Sequence, residues 1–121
     1  ANGFIGKDNF KDEYFFDMLV FYKNELENVG IDYVVFGHLG DNHLHINFLP
    51  EEQETKRAHK IYSKLVTQIL KWGGTVSAEH GIGKLKKKYF AQMAGVQSLD
   101  QLKSIKKIFD PNFILGKGNI F

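Results

Sequence analysis

The run His43-Leu44-His45-Ile46-Asn47-Phe48 alternates polar and apolar at every step. A period of two is the mark of a β-strand, which sends successive side chains to opposite faces. One face is then Leu44, Ile46 and Phe48, fit for a core, and the other carries two imidazoles and an amide, His43, His45 and Asn47. Pro50 stops the strand. Upstream, Tyr33-Val34-Val35-Phe36 is aromatic and β-branched and predicts a buried strand. Gly37 to Asn42 is turn material, so the two strands make a hairpin. His38, at the end of the first strand, is thereby brought towards His45.

Helical spacing flanks the hairpin. Phe15, Leu19, Tyr22, Leu26 and Val29 predict a helix over 12–29 capped by Gly30. Ala58, Ile61, Leu65, Ile69 and Trp72 predict another over 52–72, ended by Gly73-Gly74. Thr75-Val76-Ser77 reads as a short third strand. Residues 84–92 and 98–109 read as two further helices, the second with Ser98 and Gln101 at capping-box spacing. Asp110-Pro111 turns the chain into an irregular tail. The order of elements implies an α+β layer, a ferredoxin-like antiparallel sheet with helices packed on one face. No internal repeat, low-complexity tract or linker divides it, so residues 1–121 read as a single domain.

Composition removes several functions. With 0 Cys, disulfides, thiol catalysis and Cys-based zinc sites are excluded. No apolar run is long enough to span a membrane. A net charge of +2 without aromatic–basic interleaving gives no footprint for nucleic acid. The late lysines (Lys84, Lys86, Lys87, Lys88, Lys103, Lys106, Lys107) read as a solvated face. Ala78 to Lys84 imitates a P-loop, but Leu85 stands where the magnesium-binding Ser or Thr belongs. No Gly-x-Ser-x-Gly elbow supports a serine triad.

The histidines remain. Four of the 5 lie in two short segments, His38 to His45 and Ala78-Glu79-His80-Gly81. Two imidazoles and a carboxylate from separate elements are the ligands of a metal site that keeps positions open for substrate. A His pair on the polar face of a strand is, on spacing alone, more often a pair of exposed side chains.

Phe36 to Asn47 (Phe-Gly-His-Leu-Gly-Asp-Asn-His-Leu-His-Ile-Asn) and Gly74 to Gly83 (Gly-Thr-Val-Ser-Ala-Glu-His-Gly-Ile-Gly) resemble the C-terminal cap domain of FAD-linked oxidases. These are flavoenzymes of the D-lactate dehydrogenase and glycolate oxidase large-subunit type. The tail from Phe109-Asp110-Pro111 to Gly118-Asn119-Ile120-Phe121 is similar to that family's C-terminal signature, and the likeness runs in order from about residue 12 to 121. The resemblance implies that His38, His45 and Glu79 ligate a divalent metal, zinc as a rule. It implies substrate contact by Asn47 and a catalytic base in His80, since an imidazole titrates near working pH. Two departures stand out. The commoner first motif has Gly-Asn where this chain has Asn42-His43, and the usual tail has Asn-Pro-Gly-Lys where it has Gly116-Lys117-Gly118-Asn119. Both leave the three ligands intact and bear on substrate identity and on the tail's flavin contacts, assigned to Gly118 and Asn119. His43 shares the site face, as a substrate contact, as a group behind the ligands, or as a surface strand His.

The implied chemistry is oxidation of a small 2-hydroxy acid to the 2-oxo acid, with hydride passing to FAD. An FAD-binding domain would need a further ~200 residues. The chain is therefore expected to be the C-terminal segment of a larger cap domain, Gly6-Lys7-Asp8 being the end of a preceding motif and Ala1 a cloning remnant. On its own it is expected to be inactive and to hold no FAD, and to dimerise over apolar surface built for absent partners. Expected partners are the substrate and the FAD-binding domain, with no nucleic acid. The expected compartment is cytoplasmic, with peripheral attachment to the inner membrane face also open. Two other classes use the same residues differently: a stand-alone ligand-binding or interaction module, and a metal-dependent hydrolase with Glu79 or His80 as base.

Overall fold

The computed structural model of the protein describes residues 2–5, 14–77 and 80–121. They fall into two compact units, residues 1–80 and 81–121.

The first unit is built on the alternating strand. β1 (Asn2–Ile5), β2 (Tyr33–His38) and β3 (His43–Phe48) form an antiparallel sheet in the order β1-β3-β2. β3 is therefore central and β2 lies at an edge. Burial follows that order: Leu44, Ile46 and Phe48 are buried, and so are His43 and His45 on the opposite face. Val34, Val35 and Phe36 of β2 stay exposed. The expectation of a buried strand over 33–36 is thus corrected, because an edge strand has a neighbour on one side only. The third strand of the sheet is β1, and residues 75–77 do not form the expected strand, Thr75 making only an isolated bridge.

Two helices complete this unit. α1 (Phe15–Glu27) buries Met18, Tyr22 and Leu26, and α2 (Thr55–Lys71) buries Ala58, Tyr62, Leu65, Val66 and Ile69. The buried stripe of α2 is rotated from the expected one, with Tyr62 and Val66 inside while Ile61 and Trp72 are half-buried. Trp72 instead meets α1, its ring 5.7 Å from Phe21 edge-on and 6.2 Å from Tyr14 in a stack. The C-terminus of α2 closes as expected: Gly73, at a φ of 79°, and Gly74 donate backbone hydrogen bonds to the Leu70 and Ile69 carbonyls. Fully buried leucines and isoleucines such as Leu65 and Ile46 each contribute roughly 1.5–3 kcal/mol. Burial also pushes the Tyr22 phenol far above its ordinary value, with Tyr62 adding to the shift.

The second unit holds α3 (Lys87–Phe109), broken at Gly95, whose φ of 74° and ψ of 166° are not helical. The break falls between the two helices expected there, although the first begins at Lys87 instead of residue 84 and Gly95 alone separates them, so Ser98 is not a cap. Beyond α3 the Asp110 carboxylate organises the tail. It accepts hydrogen bonds from the Ile114 and Leu115 amides at 2.9 and 3.0 Å and from Lys106 Nζ at 2.8 Å. The Lys106 bond first, then the two amides, holds this carboxyl below its ordinary range against the opposing effect of burial. The late lysines are not all solvated. Lys86 is buried, which lowers its pKa, and Lys88 lies over the Tyr89 ring.

Candidate functional site

Strand register dictates what meets on the histidine face. Phe36 lies opposite His45, and His38 opposite His43. Cross-strand partners share a face, so four rings gather. His43 and His45 lie 4.3 Å apart between ring centres, His38 and His45 6.1 Å, and His38 and His43 5.8 Å. His80 joins from the segment after α2, its ring 6.1 Å from that of His45. The expected approach of His38 to His45 is present.

Burial divides the cluster into an inner and an outer part. His43 and His45 are each 4% exposed, whereas His38 and His80 are open to solvent. A surface position for His43 is therefore corrected: β3 is buried on both faces, with His43 and His45 covered as fully as Leu44, Ile46 and Phe48. Asn47, next along the same face, has a buried Oδ1 with no hydrogen-bond partner among the described residues. A buried amide oxygen left unbonded is costly unless water or a ligand supplies a donor.

The turn explains one departure in the sequence. Asn42 sits at a φ of 48°, left-handed backbone that Asn tolerates better than other residues with a Cβ. Asn can therefore stand where Gly is commoner without moving His38 or His45. Gly37 is fixed for a different reason, since a Cβ there would run into the His43 carbonyl oxygen and come within 2.9 Å of the Leu44 Cα. The strands can close so tightly behind the imidazoles only with glycine at this position.

Glu79, the expected third ligand, lies outside the described residues, as do Gly6, Lys7 and Asp8. Among the described residues, no three His, Cys, Asp or Glu side chains are placed to hold a metal ion. Gly118 and Asn119 sit in the closing turn of the second unit. Gly118 has a φ of 85° and donates to the Phe121 carbonyl, while the Asn119 amide donates to the Gly116 carbonyl. Sequence reasoning missed Phe36 as a member of the site. The signal was available in the hairpin register, which pairs it with His45.

The described residues can thus offer imidazole nitrogens and one amide to a small polar ligand. Comparison with known proteins gives this site its context. The family profile described as FAD linked oxidases, C-terminal domain, matches residues 13–120. The chain belongs to this family. As an FAD-linked oxidase C-terminal domain it is 35% identical over 95 residues to a D-2-hydroxyglutarate dehydrogenase of Stutzerimonas stutzeri, covering 73% of this chain and 20% of that protein. It is 31% identical over 94 residues to the glycolate oxidase subunit GlcD of Bacillus subtilis, covering 75% and 20%. A mitochondrial D-lactate dehydrogenase (cytochrome) of Arabidopsis thaliana is 36% identical over 101 residues, covering 81% and 18%. The chain spans about a fifth of the length of these curated relatives. The antiparallel sheet and its helices give the domain the expected α+β class.

Proposed function

We propose that this chain is the substrate- and metal-binding segment of a flavin-dependent oxidoreductase, which converts a 2-hydroxy acid of the D-lactate or glycolate type into the 2-oxo acid. One observation carries the reading. In a domain of this family, His38, His45 and His80 converge from β2, β3 and the segment after α2, on the face that also carries Asn47, whose Oδ1 has no partner among the described residues.

The donor set suits a divalent ion of the zinc type, for which imidazole and carboxylate are ordinary ligands. At a tetrahedral zinc with Zn–N bonds of ~2.0–2.1 Å, two ligand ring centres lie roughly 5 Å apart. The His38–His45 separation of 6.1 Å is about 1 Å wider, so the two rings must close on the ion as it binds. His38 and His45 are assigned as two of the ligands and Glu79 as the third. Bound to such an enzyme, the flavin supplies a two-electron sink and the ion a Lewis-acid anchor for the substrate's oxygens.

The chain's own residues bind, orient and take up a proton. Asn47 directs its amide at the acid, and His43 backs the same face. Of the two hydrogens that a 2-hydroxy acid loses, the hydroxyl one leaves as a proton, and His80 holds it on a ring nitrogen. Gly118 and Asn119 are assigned to the flavin side. The FAD-binding domain is the assigned partner, residues 1–121 one segment of the cap, and a homodimer the state in isolation. No described helix is long and apolar enough to cross a membrane. We assign the protein to the cytoplasm, with contact to the inner membrane face at most peripheral.

The test uses the enzyme that includes the flavin domain. His80→Asn should lower kcat for D-lactate or glycolate by roughly 10²–10⁴-fold while substrate still binds. An unchanged kcat would remove His80 from the chemistry.

A further inference from the structure

We infer that Phe36 is a positioning residue, whose ring fixes the plane of the His45 imidazole. The inference rests on the reading of His45 as a ligand of the site.

The geometry comes from the hairpin. Because Phe36 lies opposite His45, their side chains rise from the same sheet face. Their rings stack at 4.9 Å between centres, with planes only 15° apart. Along β3, two residues away, the His43 ring stands 4.3 Å from that of His45. The imidazole is thus bounded across the strands by Phe36 and along the strand by His43.

A bound of this kind matters for a ligand. The second side-chain torsion of histidine is broad, with no sharp staggered minimum to choose the ring plane. Something outside the residue must choose it if a ring nitrogen is to point at an ion. Groups that orient ligands in this way commonly do so by hydrogen bonding. Here a flat face does so, and it acts without competing for a ring nitrogen. Phe36 is itself 49% exposed, so core packing alone does not account for a large apolar side chain at this edge position.

Flatness is the property to test. Phe36→Leu keeps an apolar side chain and removes the face, whereas Phe36→Tyr keeps it. In the metal-free chain, the NOEs from the His45 ring protons to the His43 ring should weaken in Phe36→Leu, as the imidazole plane is released, and persist in Phe36→Tyr. In a zinc titration the Kd should rise about tenfold in Phe36→Leu and return towards the original value in Phe36→Tyr. A His45–His43 NOE and a zinc Kd both unmoved by Phe36→Leu would overturn the inference. A Phe36→Tyr variant as impaired as Phe36→Leu would overturn it too. Should Phe36→Leu lower the denaturation midpoint, Phe36→Met takes its place with the same expectations. Failure of the unaltered chain to bind zinc would refute the ligand assignment, and the His45–His43 NOE comparison would then decide the role of Phe36 by itself.

Discussion

At Gly37 a single hydrogen atom decides whether the hairpin can close. The His43 carbonyl occupies the place a Cβ would take, and both the oxygen and the Leu44 Cα belong to backbone that cannot swing aside. The requirement is steric, not conformational. Gly37→Ala should therefore destabilise the protein near the upper end of the roughly 0.5–3 kcal/mol range of single substitutions, read from denaturant unfolding. A cost within error of zero would mean that β2 and β3 separate readily there. Asn42 illustrates the converse. Its φ of 48° is a strained conformation that Asn tolerates, so the residue differs from the commoner Gly while the backbone path is kept. The histidines themselves were legible from alternation alone, because a period of two places His43, His45 and Asn47 together. Their burial was not legible. Alternation says which side chains share a face, and only what packs on the sheet decides whether that face is covered.

At the scale of elements the same limit appears twice. The apolar run Tyr33–Phe36 reads as buried, yet sheet order puts β2 at an edge, and order depends on β1, a strand with weak signals of its own. Helix ends were legible through glycine: Gly73 and Gly74 close α2, and Gly95 breaks α3 between the two expected segments. The Asp110 network was visible only as an Asp-Pro turn, since its partners Ile114 and Leu115 are apolar residues that bond through their amides. That network sets a pH dependence. Hydrogen bonds from Lys106 and the two amides lower the Asp110 pKa in the folded state. The stability they give is present above the unfolded value near ~3.9, and it is lost as pH falls through the lower folded value. Denaturation midpoints measured from pH 7 down to pH 2 should show this loss, and Asp110→Asn should flatten that part of the profile. A profile identical in the variant would assign the acid sensitivity to other carboxylates.

The whole molecule carries more apolar surface than a self-contained unit needs. Val96, Ile108 and Phe109 in α3 are 77%, 75% and 80% exposed, and Ile114 and Leu115 after it are exposed as well. Exposed apolar side chains in such number favour association where they lie together. The isolated chain should behave as a homodimer by light scattering, and a monomer mass maintained at millimolar concentration would contradict that expectation. The central claim concerns the histidine face, and its most direct test is the zinc content of the purified chain after dialysis against zinc-containing buffer. Stoichiometric zinc in the unaltered chain, lost in the His38→Ala/His45→Ala double variant, is the predicted result. No zinc in the unaltered chain, or equal zinc in both proteins, would contradict the assignment of His38 and His45 as ligands.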